Sequence, residues 1–313
     1  MLSLVRERVG ERFQAAYSRV LEREIDDERV PSHVAVIQDG NRRYARKRGD
    51  DPHEGHQAGA QTTEQVLEWC ADLGVEELTL YAFSTENFDR PADEREHLFD
   101  LLANKLREFA NVDEIHDREV RIRALGEVSR LPERVRDAVD YADRRTRGYD
   151  SFTLNVAVAY GGRAELLGAA RDVARAVESG DLAADEVDVD AVADRLYADP
   201  VRDVDLIIRT GGDERTSNFL PWHANGNEAA VFFCTPYWPE FSKVDFLRAV
   251  RTYESRERSW RRARAERALA LVRAFGGVEL DEARAVLARL REYLPEGSRE
   301  GLDVESEDGK AAD

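Results

Sequence analysis

The sequence predicts an α/β fold, a single domain with a mainly parallel sheet of about six strands flanked by helices. Two observations carry this prediction. Short apolar runs alternate along the chain with longer segments whose apolar residues recur every three or four positions, which is typical of strands that alternate with helices. The helical segments between the runs are about a dozen residues or longer, as a crossover between parallel strands requires.

Six apolar runs are the predicted strands. The first, residues 34–37, contains no polar residue and predicts a strand that is buried on both faces. In residues 120–125, Arg121 and Arg123 alternate with apolar residues, which predicts a strand with one polar face. The remaining strands are predicted at residues 78–83, 152–158 and 206–208, with a last one within 230–234.

Helical periodicity fills the segments between and after these runs. Residues 2–25 have the same spacing, so residues 1–30 predict an N-terminal amphipathic helix packed on the main body. Attachment of this helix to a membrane is the less favoured alternative, because its polar face carries as many acids as bases. Residues 31–295 are expected to form the main domain, and the acidic tail 296–313 to be disordered. Helices are predicted at about residues 57–73, 93–111, 132–147, 163–179, 188–198, 243–258, 259–275 and 280–293.

The composition excludes several classes of function. The formal net charge is −18, from 46 Lys+Arg and 64 Asp+Glu, so most of the surface would repel a nucleic acid. Only four of the bases are lysines, and an acidic, lysine-poor chain indicates a halophilic cytoplasm. The two cysteines lie far apart, which argues against a disulfide framework and against a structural zinc site.

The expected location is the cytoplasm. The N-terminal residues lack the pattern of a signal peptide, and no apolar run approaches the roughly 20 residues that span a bilayer. Peripheral contact with a membrane stays open as an alternative.

A basic motif follows the first predicted strand. Residues 40–49 hold five bases and no acid, which reverses the sign of charge found over most of the chain. A glycine at the strand end allows close approach of a ligand, the following helix N-terminus favours anions, and arginines bind phosphate in bidentate fashion. Asp39, next to these bases, is suited to hold a divalent cation that bridges phosphate oxygens.

Three further polar motifs follow other strands. Residues 83–91 combine hydroxyl, amide, carboxylate and guanidinium groups, and residues 208–220 combine two glycines with Arg209 and Arg215. Ligands bind beyond the carboxyl ends of strands in open α/β sheets, so these motifs are candidate binding loops. The fourth motif, residues 160–163, is explained nearly as well by a turn into a helix. The sequence contains no P-loop, no GxGxxG, no HExxH and no GxSxG.

Together these motifs resemble the signature of the cis-prenyltransferases, the undecaprenyl diphosphate synthase family. The resemblance lies in residues 33–45, 55–59, 78–91, 155–163 and 205–220, with Glu228 and residues 238–241 completing the order. It implies condensation of isopentenyl diphosphate onto an allylic diphosphate with cis geometry. It also implies Mg²⁺, a homodimer, and a six-stranded parallel sheet beside a hydrophobic tunnel that holds the growing chain.

The resemblance also implies roles for individual residues. Asp39 looks like the catalytic carboxylate linked to the metal, Glu228 like the second Mg²⁺ ligand, and Asn87 like the proton acceptor. Because a carboxamide is a weak base, Asn87 is alternatively expected only to orient the proton toward a diphosphate oxygen. The substrate-binding residues are implied to be Gly40, Asn41, Arg42, Arg43, Tyr44 and His56, then Ser84, Thr85, Glu86, Phe88 and Arg90, and finally Arg209, Arg215, Thr216 and Ser217.

Some positions depart from the common pattern of the family. Arg42, Tyr44 and Phe88 replace a frequent Gly and two frequent Trp residues, and Asp213-Glu214 replaces an acid–His pair, so that Glu214 could supply an oxygen ligand instead. The primer is expected to be geranylgeranyl diphosphate, by association with archaeal relatives, and the product an undecaprenyl-type precursor of a glycosyl carrier lipid. A non-catalytic partner subunit, a phosphohydrolase with Asp39 as nucleophile and a nucleic-acid-binding module are the alternatives, in that order.

Overall fold

A single parallel sheet organises the molecule in the computed structural model, which describes residues 16–26, 29–197, 201–224 and 229–274. Neighbouring strands all pair in parallel, in the spatial order β3-β4-β2-β1-β5-β6. The predicted α/β class and parallel sheet are therefore confirmed. The strands are β1 (His33–Ile37), β2 (Glu77–Ser84), β3 (Val120–Leu125), β4 (Phe152–Tyr160), β5 (Leu206–Arg209) and β6 (Ala230–Phe233).

Helices connect the strands and cover the sheet. Short 3₁₀ turns lie at Thr85–Asp89, Val128–Arg130, Ala184–Glu186 and Trp238–Glu240. Within the described part of the chain, no helix is both long enough and apolar enough to cross a bilayer. The helices are α1 (residues 16–24), α2 (Asn41–Arg48), α3 (Pro52–Leu73), α4 (Ala92–Phe109), α5 (Asp113–Asp117), α6 (Glu133–Thr146), α7 (Gly162–Ser179), α8 (Val189–Ala193) and α9 (Lys243–Ala274).

Three predicted helices differ from the observed ones. The helices predicted at 243–258 and 259–275 form one helix, because residues 243–274 contain neither Gly nor Pro to end the first. The helix predicted at 188–198 ends at Ala193, where the chain turns and lets Tyr197 pack against the core. The prediction for 280–293 lies outside the described residues, as does that for the tail.

The two faces of the sheet are buried against different sets of residues. Along β1, Val34 and Val36 belong to the larger apolar core, whereas Ala35 and Ile37 belong to a second, smaller core on the opposite face. Successive side chains of a strand point to opposite faces of the sheet, which explains this alternation between the two cores. Because both faces are buried, residues 34–37 of β1 are all apolar.

The N-terminal segment contributes side chains to the larger core. Leu21 and Ile25 of the N-terminal segment are buried in the larger core. Residues 1–15 of the predicted N-terminal helix lie outside the described residues. The chain divides into two compact units, residues 1–253 and 254–313. The first unit contains the whole sheet and the candidate binding loops described below.

Candidate active site

Three polar loops meet at the carboxyl edge of the sheet. β1 lies between β2 and β5, so the loops that follow these three strands are neighbours although they are far apart in sequence. The chain leaves β1 for β2 on one side and later returns to β5 on the other, and such a switch point is where ligands bind in open α/β sheets. The motifs after residues 37, 84 and 209 therefore form one site.

Asp39 lies between two guanidinium groups. Its carboxylate accepts hydrogen bonds from Arg209 Nη2 at 2.7 Å and from Arg43 Nη2 at 3.0 Å. The Thr210 hydroxyl donates to the Asp39 backbone carbonyl at 2.7 Å, which fixes the chain on which the carboxylate is mounted. Burial alone would raise the pKa of Asp39, but Arg209 and Arg43 outweigh it and hold the pKa below its usual range. The carboxylate is thus ionised at neutral pH.

Arg209 joins Asp39 to the loop that follows β5. Its side chain is only 4% exposed, and its Nη1 atom donates to the Ser217 hydroxyl at 2.7 Å and to the Arg215 backbone carbonyl at 2.6 Å. Its Nη2 atom also reaches Asp213 at 3.3 Å, and Arg215 contacts the same carboxylate at 3.0 Å. One buried guanidinium therefore fixes the carboxylate and the loop relative to each other.

Gly40 allows the chain to turn from β1 into α2. Its φ of 104° is left-handed, and a Cβ atom there would approach Tyr237 Cδ1 to 2.7 Å, so both conformation and space require glycine. α2 begins at the next residue, which directs its N-terminal N–H groups toward the edge of the sheet where the loops meet.

The Glu94 carboxylate contacts three of the predicted substrate-binding side chains. Its carboxylate oxygen Oε1 lies 2.6 Å from Arg90 Nη1, 3.5 Å from Arg42 Nε and 3.6 Å from His56 Nε2. Burial lowers the pKa of His56 to about 4, and the charge of Arg90 acts in the same direction while Glu94 opposes it. His56 is therefore neutral at pH 7 in this arrangement and can accept or donate one hydrogen bond.

The loop after β2 folds back on its own backbone. The Asn87 carbonyl oxygen Oδ1 accepts a hydrogen bond from the Ser84 backbone N–H at 3.1 Å, in a reciprocal cap of the turn Thr85–Asp89. Phe88 packs edge-on against Phe83, with ring centroids 5.0 Å apart. The Asn87 oxygen therefore already accepts one hydrogen bond, and its amide NH₂ group can donate to other partners.

A polar cavity and an apolar channel adjoin at this site. The polar cavity has a volume of about 400 Å³, and the channel of about 110 Å³ runs between α3, α4 and the sheet. Both are lined by Gln38, Asn41 and His56, so one ligand with a charged head and an apolar tail could occupy both. Other residues lining the polar cavity are Asp39, Gly40, Arg42, Arg43, Arg46, Arg90, Asp213 and Arg215.

Comparison with known proteins decides the family. The family model described as putative undecaprenyl diphosphate synthase matches residues 37–261, most of the chain and all of the site. The chain belongs to this family.

The relatives and the solved structures agree with this assignment. A protein of Halobacterium salinarum is 68% identical over 97% of this chain and 98% of its own length, and one of Haloarcula marismortui is 64% identical over 93% and 95%. Both are named tritrans,polycis-undecaprenyl-diphosphate synthase (geranylgeranyl-diphosphate specific). They confirm the expectation of a halophilic archaeal family member.

Two crystal structures resemble the fold. A lavandulyl diphosphate synthase from Lavandula x intermedia, in complex with dimethylallyl diphosphate, aligns with a TM-score of 0.69 and 33% identity over 72% of this chain and 96% of its own. A probable undecaprenyl diphosphate synthase from Campylobacter jejuni aligns with a TM-score of 0.58 and 32% identity, over 71% of this chain and 94% of its own. The resemblance thus extends over nearly the whole of each solved chain.

The structure of this undecaprenyl diphosphate synthase family member brings most of the predicted residues to one place. Eight of them line the polar cavity: Asp39, Gly40, Asn41, Arg42, Arg43, His56, Arg90 and Arg215. Arg209 and Ser217 do not line the cavity themselves. The Arg209 guanidinium donates a hydrogen bond to the Ser217 hydroxyl. Glu228 lies outside the described residues. The other predicted residues that do not line the cavity are Tyr44, Ser84, Thr85, Glu86, Asn87, Phe88 and Thr216.

Two acidic side chains of the site could not be recognised from the sequence motifs. Glu94 lies in the first turn of α4, where the helix dipole already explains an acid. Asp213 was noted only as part of a replaced acid–His pair, although it contacts Arg43, Arg209 and Arg215. The signal that could have found both is the excess of arginines, since buried or clustered guanidinium groups need carboxylate partners.

Proposed function

We propose that this chain extends geranylgeranyl diphosphate by repeated addition of isopentenyl diphosphate with cis geometry, giving an undecaprenyl-type diphosphate for use as a carrier-lipid precursor. The observation that carries the proposal is the polar cavity that adjoins an apolar channel at Asn41 and His56. A prenyl diphosphate has the same two parts, a charged head and an apolar tail. The names of the halophilic relatives support this choice of primer and product.

The allylic diphosphate fits the α2 side of the cavity. The N-terminus of α2 offers backbone N–H groups, and Arg42, Arg43 and Arg90 offer guanidinium donors around it. Glu94 and Asp39 pair with these guanidinium groups, which offsets the cost of holding several cations in one place. A diphosphate would take over part of this pairing when it binds.

Isopentenyl diphosphate fits the other side of the cavity, where the loop after β5 lies. Arg215 lines the cavity and is 65% exposed, so it is free to turn toward a second diphosphate. Arg209 holds the Ser217 hydroxyl and the Arg215 carbonyl, and it thereby sets the position of this loop. The two diphosphates would then lie on opposite sides of Asp39.

The reaction requires a leaving group, a carbon–carbon bond and a proton acceptor. The allylic C–O bond breaks and its electron pair leaves with the diphosphate, whose growing charge the arginines stabilise. The double bond of isopentenyl diphosphate attacks the allylic cation, and the new cation loses a proton. Since the Asn87 oxygen already accepts the Ser84 N–H, a diphosphate oxygen is the better proton acceptor, with the Asn87 NH₂ group orienting it.

The residues present are suited to Mg²⁺. No cluster of three or more His, Cys, Asp or Glu that could hold a metal occurs in the described stretches of the chain, but Asp39 and Asp213 both line the cavity. Mg²⁺ is commonly held by one or two carboxylates together with substrate phosphates, so this donor set fits. Asp39 would hold the ion, which supplies neutralisation of diphosphate charge when bound. Glu228 stays a proposed second ligand.

The growing chain would extend along the apolar channel. Leu80, Ala82, Leu98 and Leu102 line it, and Lys105 stands among these apolar residues. The Lys105 ammonium pairs with Glu64 at 2.7 Å and Glu108 at 2.9 Å, which compensates for its partial burial.

We also propose a homodimer that works in the cytoplasm, with peripheral membrane contact for product release. β6 lies at one edge of the sheet, and its Val231 is 36% exposed while Phe232 and Phe233 are half-buried. An apolar edge strand of this kind is suited to be covered by a second copy of the chain. Light scattering of the purified protein at high salt would measure the number of subunits.

The proposed reaction is tested by primer choice. We expect labelled isopentenyl diphosphate to be incorporated with geranylgeranyl diphosphate at least about tenfold faster than with farnesyl diphosphate, a difference of about 1.4 kcal/mol in the transition state. The assay is run with Mg²⁺ at high salt, and the products are sized by chromatography. A clear preference for farnesyl diphosphate would contradict the primer assignment, and no incorporation with either primer would contradict the reaction.

Replacement of Asn87 by alanine tests the role of its amide. We expect turnover to fall by about 10²-fold while both substrates still bind, because the proton is no longer oriented toward its acceptor. Single-turnover kinetics and separate binding measurements distinguish the two effects. Unchanged turnover would contradict both the role of proton acceptor and that of orienting group.

A further inference from the structure

The fourth polar motif, residues 160–163, and the nearby Glu165 have no part in the site as described so far. The motif begins at the end of β4 with Tyr160, which is fully buried, and continues into α7 with Gly162; Glu165 lies in the same helix. The sequence pattern alone is explained nearly as well by a turn into a helix. In the structure, however, this motif contacts the loop that carries Arg215 and Ser217.

That loop has an unusual backbone conformation. Ser217, Asn218 and Leu220 all have positive φ, of 51°, 56° and 47°, although none of them is glycine. Such residues cost free energy and persist only where surrounding contacts determine them. The segment 217–220 is therefore held in its conformation from outside.

Two hydrogen bonds from the fourth motif provide this support. The Leu220 backbone N–H donates to the Tyr160 hydroxyl at 3.2 Å, and the Gly162 backbone N–H donates to the Asn218 carbonyl at 3.2 Å. A Cβ atom on Gly162 would approach the Asn218 carbonyl oxygen to 2.3 Å, so the close contact requires glycine. Phe219, which lies between Asn218 and Leu220 in the sequence, stacks on the ring of Tyr81, with ring centroids 4.5 Å apart.

Glu165 fixes the hydroxyl on which the first of these bonds depends. The Tyr160 hydroxyl donates to Glu165 Oε2 at 2.7 Å, which leaves its oxygen lone pairs directed toward the Leu220 N–H. Burial raises the pKa of Glu165 to about 7, although the hydroxyl groups of Tyr197 and Tyr160 partly offset this. Burying a carboxyl group costs desolvation free energy, even when a tyrosine hydroxyl donates to it. None of the reaction steps proposed above uses Glu165.

We infer that Tyr160 and Glu165 are positioning residues for the isopentenyl diphosphate site. Glu165 orients the Tyr160 hydroxyl, the hydroxyl holds the Leu220 N–H, and the loop then presents Arg215 to the cavity. On the opposite side, Arg209 binds Ser217 at 2.7 Å, so the loop is held from two directions. The inference rests on the proposed function, because it assigns this loop to isopentenyl diphosphate.

The first test replaces Tyr160 by phenylalanine, which removes the hydroxyl and keeps the buried ring. We expect KM and Kd for isopentenyl diphosphate to rise roughly tenfold, the fold-change that an ordinary hydrogen bond represents, with KM for the allylic primer unchanged. Hydrogen–deuterium exchange is expected to be faster in residues 215–221. A variant that was merely less stable would lose active enzyme without separating the two substrates.

Variants of Glu165 test the contact between its carboxylate and the Tyr160 hydroxyl. Glu165→Ala should reproduce the effect of Tyr160→Phe, and the double variant should be no worse than Tyr160→Phe alone, because both act through one hydroxyl. Glu165→Gln keeps an acceptor for Tyr160 and should restore isopentenyl diphosphate binding. Glu178→Ala, an exposed acid on the same helix, is the matched control and should leave both substrates unaffected.

The outcomes separate this inference from the proposed function. Unchanged exchange and unchanged isopentenyl diphosphate affinity in Tyr160→Phe would overturn the inference. Faster exchange of the loop with unchanged affinity would also overturn it, since the loop would then not serve that substrate. Wild-type protein that binds isopentenyl diphosphate but forms no prenyl product would instead contradict the proposed function, because the binding and exchange measurements need no turnover.

Discussion

Replacement of Asp39 by alanine is expected to lower the turnover of prenyl transfer by about 10³-fold or more. Asp39 is ionised, lines the cavity and stands between the two proposed diphosphate positions. The variant loses the carboxylate that would hold Mg²⁺, and it leaves Arg209 and Arg43 without one of their partners. The measurement is the initial rate of labelled isopentenyl diphosphate incorporation at saturating substrates.

Two controls keep loss of activity apart from loss of folding. Asp39→Asn retains an oxygen that can accept from Arg209, so it should fold like the wild type and still lose most of the activity. Asp50→Ala removes a half-buried acid that pairs only with Arg48 among the described residues, at 3.1 Å, and should leave the rate within about twofold. Turnover above one tenth of wild type in Asp39→Asn, with normal unfolding temperature, would contradict the role of the negative charge.

The position of the site could be predicted from the sequence because it depends on topology. Apolar runs separated by long helical segments imply a parallel sheet, and polar residues that directly follow such runs must then share its carboxyl edge. Asp39 and Arg209 each follow such a run, so they are expected at the same edge although they are 170 residues apart. The structure joins their side chains at 2.7 Å.

Partners on helices could not be predicted in the same way. Glu94 belongs to α4, whose first turn reaches His56 and Arg42 only through the packing of α4 beside α3. No sequence rule fixes which residue of a packed helix faces a loop, since a rotation of about 100° accompanies each residue. For the same reason the sequence did not show that Phe88 turns toward Phe83 and Phe99 and not into the cavity.

The charge distribution of the molecule has a local exception with a functional reason. Over the whole chain acids exceed bases, but five arginines line the polar cavity together with two acids among the described residues. Two bound diphosphates would bring more negative charge than the site now contains, so the excess of arginines is balanced only in the complex. Within the protein, Asp39, Glu94 and Asp213 supply carboxylate partners for arginines of this cavity.

Replacement of Arg209 by lysine is expected to lower kcat/KM for isopentenyl diphosphate by about 10²- to 10³-fold. The guanidinium contacts Asp39 and Asp213 through Nη2, and Ser217 and the Arg215 carbonyl through Nη1. A lysine ammonium is a single point of charge and cannot reach both sides, so the carboxylate and the loop would no longer be fixed relative to each other. Steady-state kinetics with each substrate varied in turn provide the measurement.

A matched substitution elsewhere shows whether the effect belongs to this site. Arg134 also binds two carboxylates, Glu96 at 2.6 Å and Asp100 at 2.7 Å, but its side chain is 38% exposed and lies away from the cavity. Arg134→Lys should therefore change neither kcat nor KM beyond about twofold. If Arg209→Lys lost less than tenfold in kcat/KM for isopentenyl diphosphate, the fork geometry of Arg209 would not be what positions the loop. A loss of equal size for both substrates would mean instead that Arg209 acts mainly through Asp39, because that carboxylate stands between the two diphosphates.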